Sequence, residues 1–111
     1  MSLSQTTAKA LQENRHFLSA PSRISGRLRL KCSTKAIKYL DKSLLSNLKQ
    51  SLEAVEGIKT VRVNLAALSA VIDYDKTVLA PSIWDDFLDG SDEQADNALR
   101  RLFGDDALAA E

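Results

Sequence analysis

Between residues 24 and 32 the chain alternates with a period of two: Leu28, Leu30 and Cys32 share one parity, and Arg27, Arg29 and Lys31 share the other. Successive side chains of a β-strand point to opposite faces, so this segment reads as a half-buried strand, apolar on one side and cationic on the other. A sheet built around it has an apolar face that needs a cover and a charged face suited to water. That constraint limits the fold more than any other feature of the sequence.

The remaining segments supply the cover. Residues 5–18 space Ala8, Leu11, Arg15 and Leu18 near the helical period, predicting an amphipathic helix with a narrow apolar stripe. Ser19-Ala20-Pro21-Ser22 reads as a loop, because proline disfavours helix in the residue before it. From 36 to 55 the period changes: Ile37, Leu40, Leu44, Leu45, Leu48, Leu52 and Val55 step by threes and fours, and Gly57 follows as a helix stop. Residues 58–64 and 68–74 alternate again, with Leu65-Ala66-Ala67 turning between them, which predicts an antiparallel hairpin. Pro81 opens a short helix buried through Ile83, Trp84, Phe87 and Leu88 and stopped by Gly90. Ser91 with Gln94 has the spacing of a capping box, ahead of a helix carrying Ala95, Leu99, Leu102 and Phe103.

The expected fold class is therefore α+β, a ferredoxin-like split βαβ. In detail it is a βαββα series with an N-terminal helix, an extra C-terminal helix and no fourth strand. The expected organisation is an N-terminal helix and linker over 1–22, one domain over 23–104 and a loose tail over 105–111.

Composition removes several classes of function. With 111 residues, 44% hydrophobic and 27% charged, the chain fits one ordinary globular domain. No apolar run approaches the roughly 20 residues of a membrane span, and the first 20 residues lack an apolar signal core, so a cytoplasmic chain without membrane insertion is expected. One cysteine and one histidine exclude an internal disulfide and most zinc or nucleophile constellations. Asp73 and Asp75 are paired only in sequence, with no base, nucleophile or glycine-rich loop nearby, and read as strand-end and turn residues. Neither an enzyme nor a cofactor is expected.

The strand Gly26-Arg27-Leu28-Arg29-Leu30, the helix exit Glu53-Ala54-Val55-Glu56-Gly57-Ile58, the strand Val61-Arg62-Val63-Asn64 and the closing Asp73-Tyr74-Asp75 together resemble a heavy-metal-associated domain. In that family a Cys-x-x-Cys pair after the first strand binds a soft metal ion. Here the corresponding stretch is Cys32-Ser33-Thr34-Lys35, with one thiol where two are needed. The closer resemblance is to the branch without the pair, found beside or fused to bacterial heavy-metal P-type ATPases. The likeness covers about residues 23–88. It implies a role in metal homeostasis, with such an ATPase or another metal transporter as the protein partner.

Two sets of residues compete for that role. Cys32 near Lys31 and Lys35 is the weak metal candidate, and a metal chaperone sharing Cys32 across a dimer is one alternative function. Its parity with Leu28 and Leu30 favours a buried structural thiol instead. His16 has no second histidine to act with and reads as a solvent-facing residue. The stronger candidate is the cationic face: parity gathers Arg27, Arg29, Lys31 and Arg62 beside Thr60, Ser69, Val71 and Asp73, four cations to one anion. Arginine forks suit phosphate and carboxylate, so the face fits an anionic partner. An anion- or nucleic-acid-binding module using this face is the other alternative function, with nucleic acid disfavoured because Tyr74 has the core parity and no aromatic stands there to stack a base. Charge is also divided along the chain: residues 1–80 carry 13 Lys/Arg against 6 Asp/Glu, and residues 81–111 carry 2 against 9. The acidic helix with Asp92, Glu93 and Asp96 is therefore a rival cover for the cationic face, alongside plain solvent.

Overall fold

The computed structural model describes residues 3–33, 42–64 and 66–108. Its elements are α1 (Leu3–Glu13), a single 3-10 turn (Arg15–Phe17), β1 (Leu18–Ile24), β2 (Arg27–Cys32), α2 (Lys42–Glu53), β3 (Ile58–Asn64), β4 (Ser69–Tyr74), α3 (Ser82–Asp89) and α4 (Asp92–Phe103). The fold is α+β, with one sheet in the order β1-β2-β4-β3 and every neighbouring pair antiparallel. β4 lies between β2 and β3, so the β2-α2-β3 unit is split by an inserted strand.

The sheet has four strands where the sequence predicts three. The segment 19–22, expected as a loop, belongs to the edge strand β1, which folds against β2 through the two-residue turn Ser25-Gly26. Gly26 sits at φ +93°, a conformation that costs glycine little and strains other residues. Pro21 is compatible with this position because an edge strand leaves one side unpaired, and the pairing register slips around it between Ser19 and Ser22. β1 shows no alternation in sequence because Ala20 is its one buried residue.

The helix expected over 36–55 is observed as α2, and its predicted first turns, with Ile37 and Leu40, lie outside the described residues. Gly57 follows its C-terminal turn at φ +97°, and a Cβ there would stand 2.8 Å from Val78 Cγ1. Backbone angle and close approach therefore both require glycine at 57. Leu68, expected as the first residue of a strand, instead takes φ +50° in the turn, and β4 begins one residue later. At α4 the capping box forms: Ser91 Oγ accepts from Gln94 N at 3.2 Å, and Gln94 Oε1 accepts from Ser91 N at 2.9 Å.

All four helices cover the Leu28 side of the sheet. Leu11 of α1, Leu48 and Leu52 of α2, Trp84 and Phe87 of α3, and Leu99 of α4 join Leu28, Leu30, Val61 and Ile72 in one buried cluster. Residues 3–22, expected as a helix and linker ahead of the domain, share this core through Leu11 and Ala20. The expected tail is also engaged: Ala107 is buried and the Asp106 carbonyl accepts from Gln5 Nε2 at 3.1 Å, while residues 109–111 lie outside the described part.

Arg15, which its spacing assigns to the apolar stripe of α1, lies in the 3-10 turn and is 7% exposed. Its Nη1 donates to the carbonyls of Phe87 at 3.2 Å and Gly90 at 2.8 Å, and its Nη2 to Asp92 Oδ1 at 2.7 Å. These bonds satisfy carbonyls left without helical partners at the end of α3 and hold the α3–α4 junction. From the sheet edge, Arg23 reaches Asp85 at 2.8 Å and Asp89 at 2.6 Å on α3. Replacing Arg15 by alanine should lower the unfolding free energy by about 2–4 kcal/mol, because a buried cluster of charge-assisted bonds is lost. Leu48→Ala should cost about 2–5 kcal/mol. Urea unfolding measures both, and a near-zero change at either position contradicts its assigned packing.

Candidate functional site

Pairing in the sheet fixes the uncovered face as three cross-strand rows. The first runs Ile24, Arg27, Asp73, Thr60; the second Ser22, Arg29, Val71, Arg62; the third Ser19, Lys31, Ser69, Asn64. Each row takes one residue from every strand in spatial order. Arg27, Arg29, Lys31 and Arg62 are all exposed on this face, with Val71 and Asp73 partly covered and Ser69 buried as its floor. Ser22, Arg29, Arg62, Asn64 and Ser69 surround Val71 in a shallow depression of about 400 Å³.

The four cations are not equivalent. Asp73 accepts from Arg27 Nε on Oδ1 at 2.7 Å and from Thr60 Oγ1 on Oδ2 at 2.8 Å, and Arg62 Nη2 stands 3.5 Å from Oδ2. The Arg27 hydrogen bond, followed by that of Thr60, holds the Asp73 carboxyl below the usual carboxylate range. Arg29 and Lys31 form no ion pair with any described residue. The unpaired positive charge therefore lies on Arg29 and Lys31, in the second and third rows, while Asp73, the one carboxylate in these rows, engages Arg27 and, at longer range, Arg62.

The acidic helix does not cover this face. α4 packs beside α1 and α3 on the opposite side of the sheet, where Asp92 pairs with Arg15 and Asp96 accepts from Gln12 Nε2 at 2.9 Å. Sequence reasoning assigned Arg27, Arg29, Lys31 and Arg62 to one surface but missed the contribution of β1, which adds Ser22 and the 64% exposed Ile24. The signal for β1 was the Ser25-Gly26 dipeptide, a turn marker placed directly before the strongest alternation in the chain.

Cys32 lies on the core side of β2, 4% exposed, and burial pushes its thiol pKa up, the direction opposite to an activated thiolate. Its Sγ faces the Ser33 carbonyl at 3.7 Å. Lys35 lies outside the described residues. His16 is exposed on the 3-10 turn. Asp75 closes a turn, accepting from both the backbone N and Oγ1 of Thr77 at 2.9 and 2.6 Å. Among the described residues no group of three or more His, Cys, Asp or Glu side chains is placed to hold a metal ion. No described helix is long and apolar enough to cross a membrane.

Asp73 gives a direct readout of the site's electrostatics. Its folded-state pKa lies below the unfolded value of about 3.9, so its pairing contributes stability above that pH and is lost as pH falls through the depressed value. A carboxyl-carbon NMR titration should show the low midpoint, and Arg27→Gln should move it up toward the ordinary value. An unshifted midpoint in the unsubstituted protein contradicts the network. Comparison of the chain with protein families, curated proteins and solved structures finds no significant match to any of the three.

Proposed function

We propose that the protein is a non-enzymatic interaction module that docks an acidic surface of a partner protein on its open sheet face. One observation carries the reading: among the described residues, four exposed cations share the sheet face opposite the helices with a single carboxylate. Charges so arranged steer an oppositely charged partner and fix its orientation. The absence of aromatic side chains from the three rows weighs against base stacking, and so favours protein over nucleic acid.

The sheet order supports the ferredoxin-like reading. β2, α2, β3, β4 and α3 follow the expected series, and β1 occupies the edge beside β2 that was expected to be vacant. With that fold goes the resemblance to heavy-metal-associated domains without the cysteine pair. On this reading the module is cytoplasmic and serves metal homeostasis, and the partner is a heavy-metal P-type ATPase or another metal transporter. The chaperone alternative is less well supported, because Cys32 is buried on the core side and, among the described residues, belongs to no group of three or more His, Cys, Asp or Glu side chains placed to hold a metal.

Binding of a fluorescent glutamate-rich peptide tests the docking face. Affinity should fall steeply with added salt, and Arg29→Glu with Lys31→Glu, both at exposed positions without an ion pair to a described residue, should weaken it by about tenfold or more while leaving stability within about 0.5 kcal/mol. Unchanged affinity in that variant removes the face as the docking site. In a separate titration, copper(I) or zinc should not bind tightly to the monomer; tight binding at one ion per chain, abolished by Cys32→Ser, would instead establish the chaperone function.

A further inference from the structure

The second cross-strand row differs from the other two in its chemistry. Arg29 and Arg62 both lie level with Val71, one on each neighbouring strand; Arg29 has no ion pair with a described residue, and Arg62 has only the long 3.5 Å contact to Asp73 in the adjoining row. Their backbones are two strand spacings apart, about 10 Å, a gap that two guanidinium groups leaning inward can bridge through one oxyanion. Val71 provides a floor that competes for none of their hydrogen bonds. Ser22 and Asn64 line the rim of the same depression and Ser69 lies buried in its floor, adding hydroxyl and amide groups. By contrast, the first row already holds its anion, since Asp73 engages Arg27 and Thr60.

We propose that the gap between Arg29 and Arg62 over Val71 is a subsite for a phosphate monoester, presented by a phosphorylated side chain of the docked partner. The inference rests on the docking face of the preceding section and adds the chemical class of its anchor. Two arginine forks match the geometry of a tetrahedral dianion better than they match a lone carboxylate, and a phosphate carries about −1.5 to −2 charges at neutral pH. The depression is shallow and open, so a free small molecule would remain largely in water. A phosphate carried on a protein also gains the neighbouring contacts of Lys31 and the outward edge of Arg27. Occupancy of the subsite then depends on the phosphorylation state of the partner, which makes docking switchable.

The test compares three probes on the full chain at fixed ionic strength: a phosphoserine peptide flanked by glutamates, the same peptide unphosphorylated, and inorganic phosphate. The phosphopeptide should bind about tenfold tighter than its twin, the effect of one added charge-assisted contact. That advantage should fade as pH drops through about 6, where the phosphate becomes a monoanion. Arg29→Gln and Arg62→Gln should each abolish the advantage, whereas Arg29→Lys, which keeps the charge but loses the fork, should restore only part of it. Amide NMR shifts should centre on Val71 and Ser69. Equal binding of both peptides overturns the phosphate subsite but leaves the acidic docking face standing, whereas binding of neither overturns both. Inorganic phosphate competing as well as the phosphopeptide reassigns the gap to a free anion and overturns the presented-side-chain proposal. Displacement of the phosphopeptide by a single-stranded oligonucleotide at equal concentration reassigns the face to nucleic acid and overturns it too.

Discussion

The structure depends on the cost of dehydrating β2. Its two sets of side chains, Leu28, Leu30 and Cys32 against Arg27, Arg29 and Lys31, differ so strongly in hydration that the sheet can be covered on one side only. Four helices and a cluster of aliphatic and aromatic side chains therefore share one layer. The opposite face stays in water with its cations in register, and the site follows from the same alternation that makes the core.

Packing four helices on one side of a four-stranded sheet leaves several helix ends to be satisfied close together. The fold uses arginines for this. Arg15 holds the carbonyls at the end of α3 and the first turn of α4, and Arg23 links the sheet edge to Asp85 and Asp89. Both contacts consume acidic residues of the C-terminal part of the chain on the helical side. The strong division of charge along the sequence is thus partly neutralised within the helix layer. Arg29 and Lys31, at the centre of the sheet, face outward, and the acidic helices are on the far side of the core from them.

The docking face and the phosphate gap differ in what they select on one surface. A set of cations on a flat sheet gives long-range attraction and salt sensitivity, but little discrimination among anions. Discrimination requires two forks facing one anion, and among the described rows the Arg29–Val71–Arg62 row comes nearest to it, with Arg29 unpaired and Arg62 held by Asp73 only at 3.5 Å. Asp73 sharpens the difference by occupying Arg27 and drawing on Arg62 from the side.

Local pattern alone determined which residues of β2, β3, β4, α3 and α4 face the core, because burial of one apolar face imposes period two on a strand and a step of three to four on a helix. It likewise determined that Arg27, Arg29, Lys31 and Arg62 share a surface, since parity on paired strands is a local property. The existence of β1 was decided by tertiary structure: Leu18–Ile24 buries one residue, contains a proline and becomes a strand only because β2 offers it a hydrogen-bonding edge. The role of Arg15 was also invisible, since its three acceptors lie more than 70 residues away in the chain. Whether the acidic helix would cover the cationic face was open in the sequence for the same reason. Charge states which surfaces attract, but the side of the sheet on which α4 packs is set by where Leu99 and Leu102 join the core layer formed with α1, α2 and α3.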